Sequence, residues 1–201
     1  NKSSRFEGKP LCVIKDIPMI KRTYMQALKS NLLTDLVVAT DDEIIKKYCQ
    51  KENIPVIMTS DNCLTGTDRL AEVAISEHYD LYVNIQGDEP VIDPKSIDEV
   101  VDEFQKYGNK YSAYNLYKTI SENSEVNSDT IIKVIVNEAD ELMYMSRLGI
   151  PFNKSKNQPI FKKQDSDSGF TKKALEVYSC RDKTLNKEFE VIEILRFLDM
   201  G

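Results

Sequence analysis

The chain has 201 residues, of which 41% are hydrophobic and 30% charged, and its formal net charge is −6 at pH 7. This length and balance fit one soluble globular domain, with or without a small appendage. The negative charge argues against a nucleic-acid-binding surface, because phosphate backbones attract basic faces. No apolar run approaches membrane-spanning length and no signal peptide opens the chain, so the composition predicts neither nucleic-acid nor membrane partners.

The four cysteines lie far apart without a C-x-x-C pair, and the chain has one histidine. A zinc site is therefore not expected, and isolated thiols suit a reducing cytoplasm. The chain starts at Asn1, not at a methionine, and stops at Gly201 directly after a helical pattern, so both ends look cut.

Residues 1–11 form a polar loop that contains Lys2, Arg5 and Lys9, two hydroxyls and a glycine. Cations, hydroxyls and backbone amides near a glycine make a cradle for phosphate oxygens. The alternative is a solvated, frayed terminus.

Helical and strand patterns then alternate along the chain. We predict helices over 18–28, 43–52 and 94–107, with a further helix opening at 67–69, and strands over 36–40, 55–58 and 81–85. This alternation predicts an α/β fold with a mostly parallel sheet and helices on both faces. Beyond residue 109 we predict strands over 111–117, 131–136 and 175–178, a mobile loop over 153–173, and a helix over 190–198 capped by Gly201.

The central stretch is the apolar run 81–85 followed by Gln-Gly-Asp-Glu-Pro at 86–90. We expect a buried strand that ends abruptly, because the glycine permits a turn and the proline stops further pairing. Asp88 and Glu89 would then lie at the carboxyl end of a strand, where open α/β sheets bind ligands. A carboxylate there is the oxygen ligand that a magnesium–nucleotide complex needs. The alternative is an acidic loop that only ends a strand.

Six ordered blocks resemble one family over nearly the whole chain. They are Ser3-Ser4-Arg5-Phe6-x-Gly8-Lys9-Pro10-Leu11, Ala39-Thr40-Asp41, Gly66-Thr67-Asp68-Arg69-Leu70-Ala71-Glu72, Asn84-x-Gln86-Gly87-Asp88-Glu89-Pro90, Tyr144-x-Ser146-Arg147-x-x-Ile150-Pro151 and Glu193-x-Leu195-Arg196-x-Leu198. Together they resemble the 3-deoxy-manno-octulosonate cytidylyltransferases, which make CMP-Kdo. Enzymes that activate sialic acids resemble the chain less, since they have a serine- and threonine-rich segment in place of residues 86–90.

The resemblance implies a Rossmann-like nucleotidyltransferase domain over 1–201, which lacks the family's first strand and its C-terminal end. It also implies a small antiparallel arm that pairs two subunits into a homodimer, so that residues 111–180 include this arm and elements of the sugar pocket. The implied reaction is attack of the anomeric hydroxyl of an acidic sugar on the α-phosphorus of CTP, with Mg²⁺ as cofactor, for bacterial surface-polysaccharide synthesis. Positioning and charge neutralisation supply most of the catalysis in such chemistry.

The resemblance also assigns residues to each part of the site. The implied catalytic residues are Lys9, Arg5 and Asp88, with Asp88 as the metal ligand. The implied nucleotide-binding residues are Ser3, Arg5, Lys9, Thr67, Arg69 and Gln86, and the implied sugar-binding residues are Gln86, Arg147, Tyr178 and Glu193. A second metal-binding aspartate of the family would lie beyond Gly201, and an arginine before the phosphate loop would lie upstream of Asn1.

Each sugar-side assignment has an alternative. Arg147 would instead pair with a surface acid, Tyr178 would be core, and Glu193 would lie on a solvated helix face. Two family residues on this side are replaced, a histidine by Ala174 and a glutamine by Ile194. The first hypothesis is a Kdo-type sugar. Because lost hydrogen-bond partners change which hydroxyls a pocket satisfies, the alternative is a related sugar, such as an amino-substituted Kdo or a nonulosonic acid. An inactive nucleotide-binding or dimerising module is the alternative from another class.

Overall fold

A computed structural model of the chain describes residues 9–157, 159–180 and 184–200. The chain divides into two compact units, one formed by Asn1–Tyr114 with Asp167–Cys180 and the other by Asn115–Ser166 with Arg181–Gly201. None of the helices in the described part of the chain combines the length and the apolar character that crossing a lipid bilayer requires.

Strands and helices alternate through the first unit. Its elements are a 3₁₀ turn at Lys9–Leu11, β1 (Val13–Ile14), β2 (Ile17–Pro18), α1 (Met19–Ala27), β3 (Val38–Thr40), α2 (Glu43–Lys51), β4 (Val56–Met58), α3 (Gly66–Ser76), β5 (Leu81–Asn84), α4 (Pro94–Tyr107) and a 3₁₀ turn at Gly108–Lys110. The remaining elements are β6 (Ala113–Thr119), α5 (Asn123–Val126), β7 (Lys133–Val136), β8 (Leu142–Ser146), β9 (Lys162–Thr171), α6 (Lys172–Ser179), α7 (Leu185–Glu190) and α8 (Leu195–Met200). The predicted helices and strands up to α4 are confirmed within a few residues at their ends.

Local capping signals explain where the helices of the first unit begin. Asp42, Thr65 and Asp93 each accept a hydrogen bond from a backbone N–H in the first turn of α2, α3 and α4, respectively. Pro94 occupies the first turn of α4, where its missing N–H costs nothing, and Gly108 ends that helix with a φ of 58°.

The α/β class is confirmed, but the prediction of a mostly parallel sheet is wrong. Of the registers described, that between β3 and β4 is parallel, whereas β5 pairs antiparallel with residues 168–171 of β9. In the second unit, β7 pairs antiparallel with β8 and with residues 162–163 of β9. The strand–helix alternation predicted parallel crossovers, but the partner of β5 arrives from a distant part of the chain in the opposite direction.

The prediction of a mobile loop over 153–173 is also wrong for residues 162–171, which form β9. The polar run 162–171 resembles a loop in composition, yet residues 167–171 are buried. Asp167 is fully buried and accepts a hydrogen bond of 2.5 Å from Ser96 Oγ. Gly169 allows α4 to lie close to the strand, since a Cβ there would be 2.6 Å from Val100 Cγ1.

Two further predictions near the C-terminal end are wrong. Residues 175–178 were predicted as a strand but belong to α6. The helix predicted over 190–198 is instead the end of α7, a break and then α8, and the break contains Val191 in the left-handed region at φ 54°. The apolar spacing suits a helix, but hydrogen bonds from Ser146 and Arg147 to the Glu190 carboxylate stabilise the break. Gly201, predicted as a cap, lies outside the described residues.

Helix α1 contributes to both apolar clusters described in the first unit. Its Ile20 packs in a cluster with residues of β3 and α2, joined by Leu11 and Tyr24. Its Ala27, two turns later, packs with Ile92 and Ile97, joined by Val83 and Ile85 at the end of β5. The helix is therefore fixed against the strand ends where the predicted site lies.

We expect Gly169→Ala to destabilise the protein by about 1–3 kcal/mol, because the new methyl group overlaps Val100 in a packed core. Urea denaturation would measure the free energy of unfolding. Shortening the neighbour with Val100→Ala should make the glycine substitution less costly than it is in the wild-type background. Equal costs in both backgrounds would contradict the steric explanation.

Candidate active site

Lys9 and Asp88 meet in the first unit, although 79 positions separate them in the chain. Lys9 opens the first 3₁₀ turn and Asp88 lies in the turn after β5. The distance from Lys9 Nζ to Asp88 Oδ2 is 2.5 Å, and the two side chains are 44% and 38% exposed. The cation of the N-terminal loop and the carboxylate at the strand tip therefore share one cleft. Ser3 and Arg5, predicted for the same loop, lie outside the described residues.

The turn at 86–88 is held by its own backbone and by α1. The Glu89 amide donates to the Gln86 carbonyl oxygen at 3.1 Å. A Cβ at Gly87 would be only 2.9 Å from Ile20 Cδ1. Gly87 is not among the residues with a positive φ, so close approach by the Ile20 side chain of α1, and not an unusual turn conformation, is what favours glycine here.

Arg69 lies on the wall of the same cleft, held by the ends of two parallel strands. Its Nη2 is 3.2 Å from Asp41 Oδ1, just after β3, and its Nη1 donates to Thr59 Oγ1, just after β4. The Arg69 side chain is only 13% exposed. Burial raises the pKa of Asp41, but the bond from its own backbone amide and the Arg69 charge outweigh this, so that the pKa lies below its ordinary value. The ion pair therefore fixes the guanidinium at neutral pH.

A cavity of about 320 Å³ connects these groups within the first unit. Its polar lining includes Lys9, Asp41, Arg69, Gln86 and Asp88. Its walls include the consecutive residues 36–41 and 83–88, so it opens between the segments of β3 and β5, and α1 supplies apolar side chains. The structure thus brings together four residues predicted for nucleotide or metal binding: Lys9, Arg69, Gln86 and Asp88. Thr67 is 1% exposed in the first turn of α3 and is not part of the described cavity wall.

Asp41 and Thr59 have no predicted role in the site, and Asp41 appears in the sequence-based prediction only within the block Ala39-Thr40-Asp41. Asp41 directly follows β3 and Thr59 directly follows β4, so the rule that places Asp88 at the carboxyl end of a strand applies equally to them. Their function in holding Arg69 depends on a contact that no local pattern reveals.

Within the described residues, no three histidine, cysteine or carboxylate side chains gather as a metal site would require. Magnesium in nucleotide sites is nonetheless commonly held by one or two carboxylates together with substrate phosphates. Asp88 fits such a position, because its carboxylate faces the cleft and already contacts a cation there.

In the second unit, Arg147 connects three backbone segments. Its Nε donates to the Glu190 carbonyl at 2.7 Å, its Nη1 to the Asp129 carbonyl at 2.7 Å, and its Nη2 to the Val191 carbonyl at 3.4 Å. The Glu190 carboxylate accepts from Ser146 Oγ at 2.6 Å and from the Arg147 backbone amide at 2.9 Å. These bonds stabilise the break between α7 and α8.

Lys133 lies beside this cluster and is fully buried. Its Nζ donates to the carbonyl oxygens of Ser128 at 2.7 Å, Ile131 at 2.6 Å and Arg147. Burial lowers the pKa of Lys133. Lys133 was not predicted as a functional residue, because a lysine within the predicted strand 131–136 gives no local sign of the carbonyl oxygens that bind it.

The other residues predicted for the sugar side are placed within each unit separately. Glu193 is half-buried in the second unit, between α7 and α8, and not on a helix face. Tyr178 is fully buried in α6 of the first unit. Ala174 and Ile194, the two departures from the family, are both 5% exposed. The prediction that Gln86, Arg147, Tyr178 and Glu193 form one sugar pocket stays a prediction.

Comparisons with known proteins agree over nearly the whole chain. The family model described as "Cytidylyltransferase" matches residues 1–198. The chain is similar to the 8-amino-3,8-dideoxy-manno-octulosonate cytidylyltransferase of Shewanella piezotolerans, with 34% identity over 99% of this chain and 82% of that protein. It is also similar to the 3-deoxy-manno-octulosonate cytidylyltransferase of Zea mays, with 37% identity over 99% of this chain and 68% of that protein. Among solved structures, CMP:2-keto-3-deoxy-manno-octonic acid synthetase complexed with CTP superposes with a TM-score of 0.93 and 31% identity, over 99% of this chain and 82% of that one.

We predict that the thiol of Cys63, in the loop before α3, is unreactive. Glu72 accepts hydrogen bonds from the Ser60 amide at 2.7 Å and from Cys63 Sγ at 3.1 Å. Burial and the Glu72 carboxylate raise the pKa of Cys63 to about 12, so that about one in 10⁴ of these thiols is ionised at pH 8. We expect iodoacetamide at pH 8 to label exposed Cys180 at least about tenfold faster than Cys63, as followed by peptide mass spectrometry.

The matched variant is Glu72→Gln, which removes the charge and should raise the labelling rate of Cys63. Equal labelling of Cys63 and Cys180 in the wild-type protein would contradict the described loop.

Proposed function

The chain belongs to the cytidylyltransferase family, and on that premise we propose that it transfers the cytidylyl group of CTP to the anomeric hydroxyl of a Kdo-type acidic sugar. The products are a CMP-sugar and pyrophosphate. The observation that carries the proposal is the contact between Lys9 and Asp88 at a cavity whose wall also holds Arg69. A cation, an acid that binds a divalent ion and an anchored guanidinium are the groups that an incoming triphosphate requires.

In the proposed complex, Lys9 and Asp88 exchange partners. Lys9 would move its charge to the triphosphate, alongside Ser3 and Arg5, and Asp88 would hold a divalent cation. The cation, Mg²⁺ in our proposal, would supply neutralisation of the charge that develops on pyrophosphate. Each side chain keeps an opposite charge beside it before and after binding, so that neither is left unpaired in the cleft.

Arg69 is proposed to contact the base and ribose together with Gln86, whereas Thr67, which is 1% exposed and outside the described cavity wall, is not placed to join them. The guanidinium is already held by Asp41 and Thr59, so little side-chain entropy is lost when the nucleotide binds. Arginine has five N–H donors in a fixed plane, which suits contact with the nucleotide while the two protein contacts persist.

In the chemical step, the anomeric oxygen forms a bond to the α-phosphorus and loses its proton. The bond from the α-phosphorus to the bridging oxygen breaks, and pyrophosphate leaves with the electron pair. The residues of this chain contribute by orienting the triphosphate and by offsetting its charge, which is how most phosphoryl-type transfer is accelerated.

On the sugar side, Arg147 is proposed to meet the substrate carboxylate. Its three described guanidinium bonds go to carbonyl oxygens, so none of these bonds pairs the guanidinium with a carboxylate. Gln86, Tyr178 and Glu193 are the further residues proposed for the sugar. The apolar Ala174 and Ile194 favour a sugar other than Kdo itself, and the amino-substituted sugar of the Shewanella relative is the first candidate.

The test measures pyrophosphate release by the full-length protein with CTP, Mg²⁺ and either Kdo or its 8-amino analogue. We expect turnover with at least one sugar, and clear preference for Kdo would count against the altered-sugar hypothesis.

Asp88→Asn should lower kcat by at least about 10²-fold, because it removes the charge that holds the cation. Asp102→Asn, an exposed acid on α4, is the matched control and should leave kcat unchanged. Binding of CTP without turnover would instead support an inactive module.

We further propose a Rossmann-like, cytoplasmic homodimer in which the region 111–180 supplies a pairing arm. The described part of the second unit exposes large apolar side chains, among them Leu148, Phe152, Ile160 and Phe189, each more than 70% exposed. Exposed apolar surface of this kind marks interaction sites.

Sedimentation velocity should show a dimer at micromolar concentration, and Phe152→Asp should shift the protein towards monomer. A wild-type monomer throughout that range would rule the arm out.

A further inference from the structure

We infer that helix α1 sets the spacing between Lys9 and Asp88, with Thr23 and Ile20 as positioning residues for the reaction. The inference rests on the proposed function for its catalytic consequence, and on described contacts for its geometry. Both halves of the pair are tied to the same turn of this helix, one through its first residue and the other through Thr23.

The Lys9 half is tied to the start of the helix by consecutive backbone bonds. The Cys12 amide donates to the Lys9 carbonyl at 3.1 Å, and the Met19 amide donates to the Cys12 carbonyl at 2.9 Å. Leu11, in the same 3₁₀ turn as Lys9, packs against the cluster that contains Ile20. The turn that presents Lys9 therefore cannot shift without disturbing the first turn of α1.

The Asp88 half is tied through the peptide unit that joins it to Gly87. Thr23 is 4% exposed, and its Oγ1 lies 3.3 Å from the Gly87 carbonyl oxygen and 3.2 Å from that of Met19, so its one proton is shared between them. Ile20 Cδ1 lies against Gly87, where a Cβ would be only 2.9 Å away. Helix α1 thus contacts this peptide unit from two side chains.

One helical turn separates the two attachments. Met19 and Thr23 are four residues apart, hence on one face of the helix about 6 Å apart along its axis. A helix turn is rigid, whereas the Lys9–Asp88 contact is an exposed ion pair of the kind that fixes geometry poorly. The spacing of the two charges therefore follows from α1 and not from their own attraction.

The competing explanation is that Thr23 only packs, since helical threonines often bond the carbonyl four residues earlier. Two substitutions separate these roles. Thr23→Val keeps the shape and removes the hydroxyl, whereas Thr23→Ser keeps the hydroxyl and removes the methyl group. The matched control is Ser76→Ala, which removes a similar bond from a helical hydroxyl to the Val73 carbonyl, away from the turn at 86–88.

We expect Thr23→Val to lower kcat per folded protein by about tenfold with little change in the KM for CTP, because a misplacement of about 1 Å costs about 10²-fold and the loss of one hydroxyl should shift the turn by less than that. Thr23→Ser and Ser76→Ala should stay near the wild-type kcat. A Thr23→Val enzyme that melts earlier but keeps its kcat, or a loss in Thr23→Ser as large as in Thr23→Val, would overturn the inference.

Gly87→Ala tests the second contact. It should also lower kcat, and adding Ile20→Val, which removes the Cδ1 methyl that the new Cβ would strike, should restore much of the loss. Failure of this second change to restore activity would contradict the role of Ile20.

A readout that needs no turnover separates this inference from the proposed function. Acetic anhydride should modify Lys9 faster in Thr23→Val than in the wild type, approaching the rate in Asp88→Asn, while Thr23→Ser stays slow. Faster modification in a protein that never turns over CTP would sustain the spacing inference and refute the proposed function. Unchanged modification together with unchanged kcat in an active enzyme would refute the spacing inference alone.

Discussion

The contact between Lys9 and Asp88 is the interaction on which the interpretation of the site depends. It joins the start of the described chain to the tip of β5, and it places opposite charges in one cleft. An exposed pair of this kind contributes only about 0–1 kcal/mol to stability, so stability alone is a weak reason for the fold to bring these residues together. The surrounding elements β5, α1 and the turn at 86–88 hold the two charges in place. An anionic substrate with its cation could then separate the pair by binding between Lys9 and Asp88.

The part of the fold that the sequence predicts is the part with local signals. Asp42, Thr65 and Asp93 precede apolar periodicities and cap the helices that follow them, so propensity, pattern and capping agree. The carboxylate at the end of a buried strand was likewise predicted from a short stretch, since strand tips are where α/β sheets bind ligands. The family resemblance assigned Lys9 and Asp88 to one catalytic site, and the two side chains are in contact. The composition of residues 1–11 alone also allowed a frayed terminus.

What the sequence did not predict is decided by partners far along the chain. The sequence of β9 resembles a loop because its residues are polar. It does not show that Ser96 Oγ donates a hydrogen bond to buried Asp167. The break after α7 resembles a continuous helix because the spacing of Val191 and Ile194 is helical, whereas the bonds from Ser146 and Arg147 to Glu190 are made by residues more than 40 positions earlier. In both places tertiary contacts outweigh local pattern, and single-sequence reasoning has no access to those contacts.

Charge explains how an acidic chain accommodates two anionic substrates. The net charge of −6 opposes CTP and an acidic sugar at long range, so any site must concentrate positive charge locally. The first unit does so with Lys9 and Arg69, which form ion pairs with Asp88 and Asp41, respectively. The second unit uses another arrangement, because the described bonds of Lys133 Nζ and of the Arg147 guanidinium all go to carbonyl oxygens. Carbonyl oxygens orient these two cations without forming an ion pair, whereas the nearby Glu190 carboxylate is bonded to Ser146 Oγ and to the Arg147 backbone amide. An anion that approaches Arg147 would therefore meet a guanidinium that neutral groups hold in place.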